Sequence, residues 1–537
     1  MNLSLIRFLT GITLLSCIIS LSAQEKQYSF NKDKSKLTLI VEKENTKLLV
    51  VKNNVKRRGL PLKEAKIYTL DIASDTVGTW SALPTKENVW KLSFDIPDAK
   101  GFYIGFDDFY LPEGSQLYVY EKSNVKNAIV YKHEDNPQGG AYSIENLKGD
   151  NVVLEYVAPQ NLGTPRLHIS DVGYKYVDEQ GDPISGFDNT SNSCMVNVNC
   201  AEGGFWKNQK KGVLQLRVKR GGSTYLCSGT LINNTSEDKT PYVLTAYHCF
   251  EYLSSSIISN TEFFFDYETP ECETENRPNY KYHKGAKPLV LNSIDDGSDG
   301  ALLRLSESIP DNWDVYYNGW DRTNDGASVT GGAVIHHPLG DVKKITLFNK
   351  PLTSSKWDPD SEDEPDGTQW SVTYYKGATE GGSSGAPLFN QNGYVVGTLS
   401  GGESNCSNQG LADSFGKFWF HWDQYYDSDQ HMSKYLDPNN TGATKLKGLS
   451  SLGTDEPNPD QQPELIAYFK DDALRIYAKD ILKKVSIADL NGRILYTKTT
   501  GFDSSIFEET LYGWRPGVYI VSVDVSGRST KSIKVMK

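Results

Sequence analysis

Six of the seven cysteines in this 537-residue chain (Cys194, Cys200, Cys227, Cys249, Cys272 and Cys406) fall within one central stretch. The seventh, Cys17, lies in residues 1–23, which have the plan of a secretory signal. Arg7 supplies a short positive region, Phe8 to Leu21 is largely apolar, and Leu21-Ser22-Ala23 offers small residues for cleavage before Gln24. A lipoprotein reading of Leu14-Leu15-Ser16-Cys17 fits less well, because apolar residues follow the cysteine. An even set of cysteines in an exported chain implies a disulfide framework whose connectivity the spacing alone leaves open. The clustering separates one disulfide-bearing domain from cysteine-free flanks. After the signal, no apolar run reaches the roughly eighteen residues that span a bilayer, so no membrane span is expected in the mature protein.

Glycine is abundant and long helical periods are scarce, which favours an all-β chain with many turns. The length suits about three or four domains. A formal net charge of −12 argues against nucleic acid as a partner. Residues 24–188 read as a β-sandwich, with strands near 36–41, 47–51, 101–106 and 115–120 and a Leu111-Pro112-Glu113-Gly114 turn. This segment carries no catalytic constellation and suits a folding or binding module. Residues 180–193 have a linker's Gly, Asp, Asn and Ser content.

The disulfide-bearing domain is placed at 189–449. Leu214, Leu216 and Val218 alternate with Gln215, Arg217 and Lys219, the period of a half-buried strand. Asn392-Gly393 marks a hairpin. Asp358 to Gly367 is an acidic run expected to be a solvated loop, without a recognisable calcium-ligand pattern. Residues 450–463 form a second linker, and 464–537 a small β-sandwich with a turn at Asn491-Gly492. No cofactor or metal is expected.

Chemistry concentrates at Glu380-Gly381-Gly382-Ser383-Ser384-Gly385-Ala386-Pro387. Glycines there let the backbone turn sharply and let a substrate approach the main chain. A serine on such a turn can attack a carbonyl while nearby amides face the developing oxyanion. Its base and carboxylate are found upstream. His248 ends the apolar run Tyr242-Val243-Leu244-Thr245-Ala246, and Asp299 precedes Ala301-Leu302-Leu303. Either residue alone is more often structural, a histidine beside a cysteine or a turn-forming aspartate. Together, in the order His, Asp, Ser and each beside a strand, they fit a catalytic triad. Gly381-Gly382-Ser383-Ser384-Gly385 also satisfies the Gly-x-Ser-x-Gly elbow with Ser383 as nucleophile. That fold needs the acid and then the histidine after the serine, where only His421 and His431 follow, and parallel strands alternating with helices, which are missing here. Ser384 is therefore the expected nucleophile, with the Gly382 and Ser384 amides as the oxyanion hole.

Residues 189–449 resemble chymotrypsin-type serine endopeptidases, above all the bacterial lysyl endopeptidases. Thr245-Ala246-Tyr247-His248-Cys249, Ser298-Asp299-Gly300-Ala301 and Gly382-Ser383-Ser384-Gly385-Ala386-Pro387 resemble that family's histidine, aspartate and serine motifs. Gly319-Trp320-Asp321-Arg322, Ile335-His336-His337-Pro338 and Tyr435-Leu436-Asp437-Pro438 add to the likeness. The resemblance implies a two-barrel chymotrypsin-like domain with disulfides Cys194–Cys406, Cys200–Cys272 and Cys227–Cys249, the last pair also sensible from its closeness in sequence. It implies Asp413, in Ala412-Asp413-Ser414-Phe415-Gly416, as the pocket carboxylate that receives a basic substrate side chain. Trp357 matches a tryptophan beside the catalytic histidine, and Ser400 stands where the family has a pocket histidine. Ser383 occupies the place of the aspartate that pairs with a new N-terminal amine in vertebrate trypsins, so that activation switch is missing.

The resemblance extends to the flanks. The N-terminal segment resembles the family's propeptide, and Leu490-Asn491-Gly492-Arg493 with Pro516-Gly517-Val518-Tyr519 resemble the sorting domain of the type IX secretion system. Together these imply a secreted or surface-held zymogen that cleaves protein or peptide substrates after basic residues, lysine first, and that meets secretion machinery through its C-terminal domain. No basic residue lies just before Asn189, which leaves Lys175 as the nearest candidate for self-cleavage. The alternative is an adhesin or binding protein on a catalytically inactive protease scaffold.

Overall fold

A computed structural model describes residues 28–40, 61–175, 190–272, 278–295, 297–360, 364–453, 465–470, 473–478, 482–499, 506–525 and 530–537. The expected signal, the 47–51 strand and most of both linkers lie outside these residues. The chain is all-β. In the N-terminal segment a seven-stranded sheet packs on a second layer made of Leu62–Ala73, Arg166–Lys175, Gly101–Tyr110 and Tyr142–Lys148. Trp90, Leu92, Phe94, Phe102, Phe106 and Phe109 fill the space between the layers. Burial of aromatics on this scale supplies the main driving force of such a sandwich, roughly 25 cal/mol per Å² of apolar surface.

The second layer does not end at the sandwich. Leu62–Ala73 pairs antiparallel with Ser223–Ile232, Ser223 opposite Lys66 and Leu226 opposite Leu62, so one eleven-stranded sheet runs on into the disulfide-bearing segment. There, Val213–Arg220, Ser223–Ile232, Tyr242–Ala246, Gly300–Leu305, Ala286–Leu291, Glu262–Glu268 and Asn279–Lys284 curl into a first barrel-like unit around Leu216, Val243, Phe263 and Leu303. A ten-stranded sheet forms the second, including Gly332–His336, Lys344–Phe348, Pro387–Asn390, Val395–Gly402 and Asp413–Lys417. Pro387–Asn390 and Val395–Gly402 pair antiparallel across Asn392-Gly393, as the hairpin signal requires. The last segment folds as three- and four-stranded sheets sharing one core that includes Leu474, Val485, Ile487, Val521 and Val523. Disulfides join Cys194 to Cys406, Cys200 to Cys272 and Cys227 to Cys249. Among the described residues no helix is long and apolar enough to cross a membrane.

Three expectations are corrected. Val213–Arg220 is buried on both faces over most of its length, Arg217 being 1% exposed, because the N-terminal sandwich covers Arg217 and Lys219 while Gln215 donates to the Gly340 carbonyl. The Arg217 guanidinium reaches Glu64 at 2.7 Å, Glu145 at 2.6 Å and Glu262 at 3.2 Å. Lys175 cannot serve as an accessible cleavage point in this arrangement. It ends Arg166–Lys175, is buried, and lies 3.4 Å from Glu64. The acidic run is solvated as expected at Asp358, Asp360 and Asp366, but Glu364 is buried and accepts hydrogen bonds from the Trp357 and Asp358 amides and the Thr368 hydroxyl.

Candidate active site

Strand pairing brings two of the three expected groups together. Tyr242–Ala246 and Gly300–Leu305 run antiparallel with Ala246 opposite Gly300, so the residues just beyond that pair, His248 and Asp299, emerge at the same end. Asp299 Oδ1 accepts from the His248 amide at 2.9 Å, and Oδ2 meets His248 Nδ1 at 2.7 Å. The Tyr247 amide donates to the Asp299 carbonyl at 2.9 Å. These three bonds hold Asp299 at a φ of +60°, a left-handed conformation uncommon outside glycine. With the proton on Nδ1 directed to the carboxylate, Nε2 carries the lone pair. It is buried and, among the described residues, has no hydrogen-bond partner.

The serine turn belongs to the second barrel and is fastened to the first. The Ser228 amide donates to the Ser384 carbonyl at 2.7 Å, and the Ser228 hydroxyl to the Gly382 carbonyl at 2.9 Å. Gly382 and Gly385 both have positive φ, +89° and +79°. Gly385 lies so close to Thr245, Ala246 and Ser228 that a Cβ there would fall inside their van der Waals shells. That contact sets the turn beside the strand end carrying His248. Ser384 Oγ is not hydrogen-bonded to His248 Nε2; such bonds are often long before a substrate is bound. Among the described residues neither the Gly382 nor the Ser384 amide meets an acceptor. Leu62, from the N-terminal sandwich, packs against Gly381 of the same turn.

Asp413 begins the strand Asp413–Lys417 and is wholly buried. Its carboxylate accepts from the Thr379 hydroxyl at 2.6 Å, the Ser404 hydroxyl at 2.7 Å and the Ser404 amide at 2.9 Å. Burial raises its pKa, and these donors work against the rise. Ser400 is buried on Val395–Gly402 and donates to Gln369 at 3.3 Å. Trp357 is half-buried, its amide tied to Glu364, and makes no ring contact with His248. The group Cys227, His248 and Cys249 has metal-ligand spacing, but its two sulfurs form a disulfide and offer no thiolates.

Sequence reasoning missed Ser228, Thr379 and Ser404. They are ordinary hydroxyl residues on three separate elements, and no spacing rule links them to the turn or to Asp413. Only the position of Ser228 directly after a disulfide cysteine could have drawn notice.

Residues 188–416 match the family model described as the lysyl endopeptidase, C-terminal domain. The lysyl endopeptidase of Pseudomonas aeruginosa is 31% identical over 277 residues, which is 48% of this chain and 56% of that protein. The chain thus spans little more than half the length of this curated relative. Among solved structures, the protease Anisep from Arthrobacter nicotinovorans is 18% identical, with 39% of this chain and 90% of that chain covered and a TM-score of 0.28. The thermostable serine protease AL20 from an extremophilic microorganism is 15% identical, covering 39% and 92% with a TM-score of 0.27. At such scores the fold is read from the chain's own strand pairing. By sequence, the disulfide-bearing part of this chain is similar to the lysyl endopeptidases.

Proposed function

We propose that this chain is a secreted serine endopeptidase cleaving after basic residues, lysine first. The observation that carries the reading is the buried His248–Asp299 pair beside the strand end against which the glycine-flanked serine turn is clamped. In this reading Ser384 Oγ attacks the scissile carbonyl and His248 Nε2 takes its proton, then passes it to the leaving amine. Asp299 keeps the proton on Nδ1 and stabilises the imidazolium. The free amides of Gly382 and Ser384 receive the oxyanion; losing one such donor typically costs about 100- to 1000-fold in rate. The acyl-enzyme is then hydrolysed by water activated by the same histidine.

Asp413 supports the preference for a basic side chain. Its described hydrogen-bond partners, the Thr379 and Ser404 hydroxyls, the Ser404 amide and Tyr374, are all neutral donors. A substrate ammonium would supply the countercharge that no described residue gives this buried carboxylate, in a charge-assisted bond. The likeness to lysyl endopeptidases supports lysine over arginine. The resemblance of the N-terminal segment to a propeptide, with Leu62 against the serine turn, supports a zymogen. The C-terminal resemblance supports export to the cell surface or beyond through secretion machinery.

One observation favours the alternative of an inactive adhesin scaffold, the missing hydrogen bond between Ser384 and His248. A serine-directed fluorophosphonate decides between the two. The matured wild type is expected to be labelled and Ser384→Ala not; an unlabelled wild type, or equal labelling of both, refutes the enzyme. Digestion of a mixed peptide library then tests specificity. Cleavage dominated by apolar residues would remove Asp413 from its role.

A further inference from the structure

Ser383, the residue before the proposed nucleophile, is fully buried and belongs to a closed hydrogen-bond relay. Its Oγ accepts from the Glu380 amide at 3.1 Å and contacts His336 Nδ1 at 2.7 Å. On the far side of the ring, Nε2 contacts Thr346 Oγ1 at 3.1 Å, and the Thr346 hydroxyl donates to the Ala378 carbonyl at 2.8 Å. The proton positions follow from the chemistry. Thr346 spends its one hydrogen on Ala378, so it accepts from His336 Nε2–H. Nδ1 then has only a lone pair, and Ser383 donates to it. Every donor and acceptor is used once, with a neutral ring. Burial, reinforced by the nearby Lys344 charge, lowers the pKa of His336 to about 3, which agrees with a neutral ring.

The relay starts and ends on the same loop, at Ala378 and at Glu380–Ser383, and anchors it to two neighbouring strands, Gly332–His336 and Lys344–Phe348. The Gly382 and Ser384 amides flank Ser383 directly. By the resemblance to chymotrypsin-type endopeptidases, Ser383 stands where vertebrate trypsins have an aspartate that pairs with a new N-terminal amine.

We propose that His336 is the positioning residue that sets the oxyanion amides of this chain through Ser383, so that the oxyanion hole forms without any new N-terminal amine. The proposal rests on the serine endopeptidase reading. Under it, removal of the N-terminal segment uncovers a site whose amides are already in place. Ser383→Ala removes the link at the loop. Thr346→Val, of nearly the same shape, removes the outer anchor of the ring and touches no substrate.

The test compares matured wild type with both variants on a lysyl amide substrate. It also measures a peptidyl boronate, which mimics the tetrahedral intermediate, and a competitive ground-state inhibitor with a lysine side chain. A displacement of the amides by about an ångström costs on the order of 100-fold. The expected result is therefore a 10- to 100-fold loss in kcat for Ser383→Ala (about, by the same estimate), and a smaller loss in the same direction for Thr346→Val. KM and ground-state inhibitor affinity should stay within about twofold, while boronate affinity falls in step with kcat/KM. Unchanged boronate affinity in both variants, or equal loss of boronate and ground-state binding, overturns the positioning role. Should Ser383→Ala not fold, Thr346→Val alone is decisive by the same readouts. A wild type that neither turns over substrate nor takes a fluorophosphonate refutes the parent reading instead, a result distinct from an active wild type with indifferent variants.

Discussion

Asp299 combines two demands that few residues meet together. Its backbone is left-handed, which aspartate tolerates better than most side chains, and its carboxylate takes both the amide and the ring nitrogen of His248. An asparagine would keep the backbone preference but could offer only one oxygen. Its amide nitrogen, turned to His248 Nδ1, would favour the tautomer with the proton on Nε2, where no base is available to Ser384. Asp299→Asn should therefore fold and bind substrate while kcat falls on the order of 10,000-fold. Steady-state kinetics checks this, and a loss under tenfold would mean that another group orients the histidine. The pairing of this residue with His248 was legible in the sequence, from its place before an apolar strand and its order between histidine and serine. Its strained backbone was not, because left-handed geometry at a non-glycine residue depends on partners from elsewhere in the fold.

The serine turn shows what an element owes to its neighbours. Its glycines announce a sharp bend, and the hairpin that follows is signalled by Asn392-Gly393. The reason for Gly385 emerges only in three dimensions, where it sits against Thr245, Ser228 and Ala246 of the other barrel. Gly385→Ala would combine a positive φ, which costs an alanine roughly 1–2 kcal/mol, with overlap against backbone atoms that have no room to yield. The expected result is a lower unfolding midpoint in urea together with lost fluorophosphonate labelling. A variant with wild-type stability and labelling would contradict the proposed clamp across the seam. Periodicity misjudged a second element for a related reason. Leu214, Leu216 and Val218 do face a core, but Gln215 and Arg217 are buried as well. Alternation reports one apolar face; it is silent on whether charged partners from a distant segment cover the other.

Those partners give the whole molecule its most distinctive joint. Glu64, Glu145, Asp171 and Lys175 of the N-terminal sandwich meet Arg217, Lys219 and Glu262 of the first barrel in a buried cluster. The Arg217 guanidinium also lies 4.1 Å from the ring centre of Tyr103. Pairs of this kind cost desolvation when formed and far more when broken on one side, since the remaining charge stays buried. For Glu145, burial pushes the carboxyl upward, but the charge and hydrogen bonds of Arg217 outweigh it and hold the pKa at about 2. Asp171 is lowered too; burial opposes the shift and Lys219 drives it. A carboxylate with a depressed pKa contributes its stabilisation above its ordinary range and loses it as pH falls towards the shifted value. The joint should therefore be firm at neutral pH and weaken between about pH 4.5 and pH 2. A chain nicked between residues 176 and 189 should keep both parts together on size exclusion at pH 7 and release the N-terminal part across that acid window. Release already at neutral pH would show that the ion cluster does not hold the parts together, and co-elution down to pH 2 would assign the joint to the paired strands and aromatic contacts alone.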